Sequence, residues 1–154
     1  MPLGALPGAF RAGPEAADPL GICLRGGSDG GVRRSSACSK EPRPRQALME
    51  CRRWAAGEIK MPQAKRAVLA CHAAAKELSG SWAVAMCHAV GQGVSAVHVR
   101  EHAMGLPIYE LTAIVRAHPG DYEAPALEKT ARNLEWLDFW KQADLSAYAW
   151  AKFL

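Results

Sequence analysis

The chain has 154 residues, 49% of them apolar but only 7% aromatic, and a formal charge of +4 at pH 7. That length holds one ordinary domain, and an Ala-heavy second half favours closely packed helices over a sheet. Residues 1–45 carry seven Lys/Arg against four Asp/Glu, net +3, and the remainder twelve against eleven, net +1. A near-neutral body lacks the concentrated basic face of a nucleic-acid binder, and no apolar run approaches the roughly 20 residues that span a bilayer.

Residues 1–40 are rich in Gly, Pro, Ser and Arg, as in "RGGSDGGVRRSSACSK". Such a segment buries too little apolar surface to offset its ordering entropy, so a disordered or misassigned leader is expected here. A helical domain is expected over residues 41–154. The opening "MPLGALPGAF" has no early basic residue and is broken by Pro and Gly, unlike a secretory signal. The five cysteines, Cys23, Cys38, Cys51, Cys71 and Cys87, are odd in number and form no Cys-x-x-Cys pair. Together these features predict a cytoplasmic protein with reduced thiols.

From Arg45 the pattern becomes helical. Leu48, Cys51, Ala55 and Ile59 recur at helical spacing in "RQALMECRRWAAGEI". A second helix follows, with Pro62 in its first turn, Gly80 just past its end, and a core stripe of Ala64, Val68, Cys71, Ala75 and Leu78. "SWAVAMCHAVGQGVSAVHV" is apolar almost all round, the mark of an enclosed helix, with Ser81 expected to cap it. A fourth helix is predicted from about Pro107 to Ala117, ended by "HPGD". The last segment places Leu127, Ala131, Leu134 and Trp136 to Trp140 on one long amphipathic helix, with a short helix from Leu145. Its aromatics, Trp136, Phe139, Trp140 and Trp150, are expected mostly in the core. The predicted fold is all-α, an antiparallel bundle or a stack of helical hairpins with four to five helices.

"LACHAAA" recurs loosely as "AMCHAVG" sixteen residues on, with Gly80 midway between His72 and His88. In a hairpin turning at Gly80 both histidines lie about 12 Å from the turn, and therefore level. Lys65 and Lys76 share the face of His72, so His72 is expected in solvent. Cys71 falls on the core stripe, where a free cysteine acts as a small hydrophobe. "GQGVSA" resembles the opening of a dinucleotide fingerprint, but no strand precedes it. Its glycines read instead as places where helices approach closely.

Two constellations remain. "HVREH" spells His98-x-x-Glu101-His102, the order of the inverted zinc-peptidase signature. A peptidase also needs a third ligand, and nothing distinguishes Glu110, Glu128 or Glu135 for that role. Five-residue patterns with three fixed letters arise readily by chance, so no metal, cofactor or catalytic residue is assigned. The second constellation is a polar seam on the enclosed helix, His88, Gln92 and Ser95, which His98 and His102 extend if the helix continues past Val97. Buried polar groups require partners. Bonding between helices is the simpler reading, and a groove for a ligand or a partner's side chains is the sharper one.

"RPRQALMECRRWAAGEIKMPQAKRAVLACHAAAKEL" followed by "AVAMCHAVGQGVSAVHVREHAMGLPIYELTAI" resembles the Imm-five-like helical domain of bacterial immunity proteins in polymorphic toxin systems. The resemblance covers about residues 42–118. It implies an all-α domain that binds and neutralises a cognate protein toxin without chemistry of its own, and it carries over no catalytic residue. Relatives place a helix ahead of "RPR", where this chain has its Gly/Arg/Ser leader. Competing readings are a metal-dependent hydrolase built on His98, Glu101 and His102, and a small-molecule-binding helical module built on the seam.

Overall fold

The computed structural model describes residues 41–147 and 150–152. They form five α-helices: α1 (Arg43–Ala55), α2 (Met61–Glu77), α3 (Ser81–Ser95), α4 (Gly105–Ala117) and α5 (Glu123–Gln142). Two 3-10 segments, Arg100–Met104 and Leu145–Ala147, precede α4 and follow α5. No strand occurs among the described residues. The fold is all-α, as expected, and the 1–40 leader lies outside the described residues.

Consecutive helices run antiparallel. Arg43, at the start of α1, bonds Glu77 at the end of α2 at 2.6 Å and 3.0 Å. Arg116, at the end of α4, donates to the Ser81 carbonyl at the start of α3 at 3.1 Å. α3 is the central element, packed against α1, α2, α4 and the first 3-10 segment. Nine of its residues are buried, most of them small. The main core joins Ala47, Cys51 and Trp54 of α1 to Val68 and Cys71 of α2 and to Met86, Val90 and Val94 of α3. Cys51 and Cys71 behave as apolar fillers whose thiols donate to the carbonyls of Val94 and Cys87. Burial pushes Cys51 up to about 11 and Cys71 up to about 12, so neither is a thiolate at neutral pH.

The helix limits have local causes. Pro44 and Pro62 sit in first turns, where a missing N–H costs nothing. α1 ends earlier than its apolar spacing implies, because Gly57 takes a left-handed φ of 77°. The Gly57 N–H bonds the Trp54 carbonyl and the Glu58 N–H bonds the Arg53 carbonyl, which closes the helix end. Ile59 is buried beyond that turn rather than on the helix. Ser81 does not cap α3. Gly80 precedes the helix with no side-chain cap, and Ser81 is exposed. α4 begins two residues before Pro107.

α5 corrects a larger expectation. It forms, but it has no buried residue, and Leu127, Leu134 and Leu137 are exposed. Trp136, Phe139 and Trp140 are half-buried and Trp150 is exposed, so the buried tryptophan is Trp54 of α1 rather than the C-terminal set. The α4–α5 contact is anchored by an ion pair from half-buried Lys129 Nζ to Oε1 of the buried Glu110 at 2.8 Å. Past α5 the chain returns to the α1–α2 turn. There the Ala151 N–H donates to the Ala55 carbonyl at 2.8 Å, and Ala151 is buried.

Candidate functional site

The polar seam is where three helices meet on α3. His88 sits between His72 of α2, with ring centroids 6.0 Å apart, and Tyr109 of α4, 5.1 Å away. The two histidines level with each other across the α2–α3 turn therefore do face each other. One turn further along, Gly91 leaves room for the His72 ring. A Cβ there would lie 2.6 Å from His72 Cε1, so the imidazole rests directly on the α3 backbone. Ser95, only 3% exposed, donates from Oγ to the Gly91 carbonyl at 2.6 Å. His72 Nε2 lies 3.5 Å from the same hydroxyl.

His72 thus differs from its solvated expectation. It is half-buried, and its pKa lies below the ordinary histidine value. Desolvation is the main cause, followed by the neighbouring His88 and His102, while a hydrogen bond to the Gly91 backbone opposes the shift. Lys65 and Lys76 on the same helix face are exposed, but His72 is not drawn into solvent with them. The available signal was Gly91, a gap in an otherwise filled helix, set against a histidine on the facing helix of the hairpin. Tyr109 also belongs to the seam and carried no signal beyond its place on α4.

The helix does not continue past Val97. Ser95 ends it, its carbonyl accepting the N–H groups of both His98 and Val99 at 3.1 Å. Val99 is extended, and the chain folds back through the 3-10 segment. This reversal, rather than helical continuation, brings His102 Nδ1–H to the Gln92 side-chain oxygen. Gly105 and Gly93 allow the close approach. A Cβ on Gly105 would meet Gln92 Cβ at 2.6 Å, and one on Gly93 would meet Leu106 at 3.3 Å. His98 is exposed, its ring 6.4 Å from His102.

"HVREH" is therefore a junction. Its first histidine lies in a turn and its glutamate in a 3-10 segment, so the shared α-helical face that a two-histidine metal site uses is not formed. Glu101 is exposed and pairs with Arg100. Glu110 is held by Lys129, and Glu128 pairs with Arg132 at 3.1 Å. Among the described residues, no group of three His, Cys, Asp or Glu side chains is placed to hold a metal ion. Four imidazoles, an amide, a phenol and a hydroxyl can exchange hydrogen bonds. The one hydroxyl among them with a nucleophile's chemistry, Ser95, already donates its proton to Gly91.

Comparison with known proteins adds one match. The family model described as Imm-5 like putative immunity protein matches residues 34–138, which include all of α1 to α4, the seam and most of α5. No curated protein and no solved structure matches the chain.

Proposed function

We propose that this chain, which belongs to the Imm-5 like putative immunity protein family, binds and neutralises a cognate bacterial toxin by stoichiometric contact. The family match over residues 34–138 carries the reading. The seam supports a non-catalytic role, because its hydrogen bonds tie α3 to α2 and to the 3-10 segment, and its α4 member, Tyr109, stacks on His88. Ser95 and Gln92 have internal partners, and the Cys71 thiol is buried with its proton held tightly. In this reading His72, His88, Gln92, Ser95 and His102 hold three helices in register, while His98 stands at the surface. On the same reading the protein acts in the cytoplasm of a cell that carries a polymorphic toxin. No helix among the described residues is long and apolar enough to cross a membrane.

Co-expression tests this directly. A host producing the cognate toxin domain should regain growth when the full chain is supplied. The purified pair should form a 1:1 complex. Growth arrest that persists at matched expression would overturn the reading, as would protection at strongly substoichiometric amounts, which signals turnover.

A further inference from the structure

α5 presents two stripes, and the body uses only one. Ala126, Lys129, Asn133, Trp136 and Trp140 follow spacings of three and four, and all are half-buried. Displaced by two residues, or about 200° around the helix, are Ala124, Leu127, Ala131 and Leu134. All four are exposed, Leu127 by 71% and Leu134 by 57%. Exposed apolar residues aligned on one helix face and rimmed by polar residues offer a surface on which a partner can dock.

The margins say what kind. Glu123, Glu128 and Glu135 flank the stripe within about 100° on a helical projection, and Asp138 continues its line one turn beyond Leu134. Lys141 is the basic residue within the same arc and pairs with Asp138 at 3.8 Å, and Arg132, just outside it, is paired to Glu128. Four carboxylates against two cations leave the rim net acidic on a chain whose overall charge is +4. A second copy is a poor occupant, because pairing α5 with itself sets Glu128 and Glu135 against like charges. A helix with an apolar stripe flanked by Lys or Arg meets both features at once.

We infer that the outward stripe of α5, centred on Leu127 and Leu134, is the docking surface for a basic-flanked amphipathic helix of the toxin. The inference rests on the immunity reading for the identity of the partner, and on the exposed stripe and its acidic rim for the chemistry.

The test uses the full chain and two fluorescein-labelled helical peptides that share a leucine stripe, one with Lys flanks and one with Glu flanks. The Lys-flanked peptide should bind, and the Glu-flanked twin should bind about tenfold more weakly or worse. Binding should fall as salt rises, and the double variant L127E/L134E should lose about tenfold or more. Both leucines are exposed, so unchanged circular dichroism and melting confirm that the variant folds. Equal affinity for the two peptides, or no loss in the variant, overturns the proposal. So does a wild-type dimer in sedimentation that the variant dissolves, since a second copy is then the occupant. Tighter peptide binding after removal of residues 1–40 also overturns it, because the chain's own leader then covers the stripe. Growth rescue separates the two readings. If wild type and L127E/L134E protect equally, the docking surface fails and immunity stands. If peptide discrimination holds but wild type gives no protection, the immunity reading fails and the surface stands.

Discussion

α3 and α5 are both rich in apolar residues, yet they end in opposite environments. α3 buries nine residues and touches most of the molecule. α5 is longer and buries none. The difference lies in side-chain size and phase. On α3 small residues surround the helix, so α1, α2 and α4 can all approach, and at Gly91 and Gly93 the neighbouring side chains reach the backbone itself. On α5 the apolar residues split into two stripes on nearly opposite sides, and a helix at the edge of a bundle can turn only one of them inward. Which stripe goes inward follows from the partner. Lys129 sits on the aromatic stripe and neutralises Glu110, and that pairing selects the face.

The strongest test of this contrast is the pair itself. Lys129→Ala leaves the Glu110 carboxylate, 2% exposed, without its counter-charge, and should cost about 3–5 kcal/mol in urea unfolding. Replacing both partners together, Lys129→Met with Glu110→Leu, should recover most of that loss. If the single and double variants unfold alike, the ion pair does not choose the face of α5.

Next in size is the difference between the helices' apolar residues. Met86→Ala, in the enclosed face of α3, should destabilise by about 2–5 kcal/mol. Leu127→Ala, on the outward stripe of α5, should stay within about 0.5 kcal/mol of wild type. Comparable losses at the two positions would erase the distinction between a central helix and an edge helix.

The smallest expected effect is on pH. His72 binds its proton less readily in the folded state than at its ordinary value of 6.5. Its contribution to stability is therefore fully present above pH 6.5 and is lost as pH falls below that value towards the lowered folded-state pKa. The urea midpoint of the wild type should drop on going from pH 7.5 to pH 5 by more than that of His72→Gln. An equal drop in both would place the acid sensitivity elsewhere.

The helices were legible because their stripes are regular: Ala64, Val68, Cys71 and Ala75 are buried as their spacing demands. Limits were legible only where the residue type acts alone, as Pro62 does. The end of α1 depends on a left-handed Gly57, and a glycine in sequence does not declare its φ. Which stripe of α5 turns inward is not legible for a related reason. Leu127, Ala131 and Leu134 form as good a pattern as Trp136 and Trp140, and only the charge pair with another helix separates them. The seam at His88, Gln92 and Ser95 followed from polar residues on an apolar helix. His72 and Tyr109 did not, since their inclusion depends on which faces of α2 and α4 meet α3. "HVREH" fitted a catalytic spelling, but spelling presumes an α-helix, and the chain reverses there.

The return of the chain to Ala55 gives α5 a second support. The helix is fastened part-way along by Lys129 and Glu110, and the residues beyond it are fastened by the backbone bond from Ala151. A beam held at two separated points resists both swinging and rolling. Its outer side is presented at a fixed height and angle, so a visitor arriving there finds the surface already ordered and loses less entropy in settling on it.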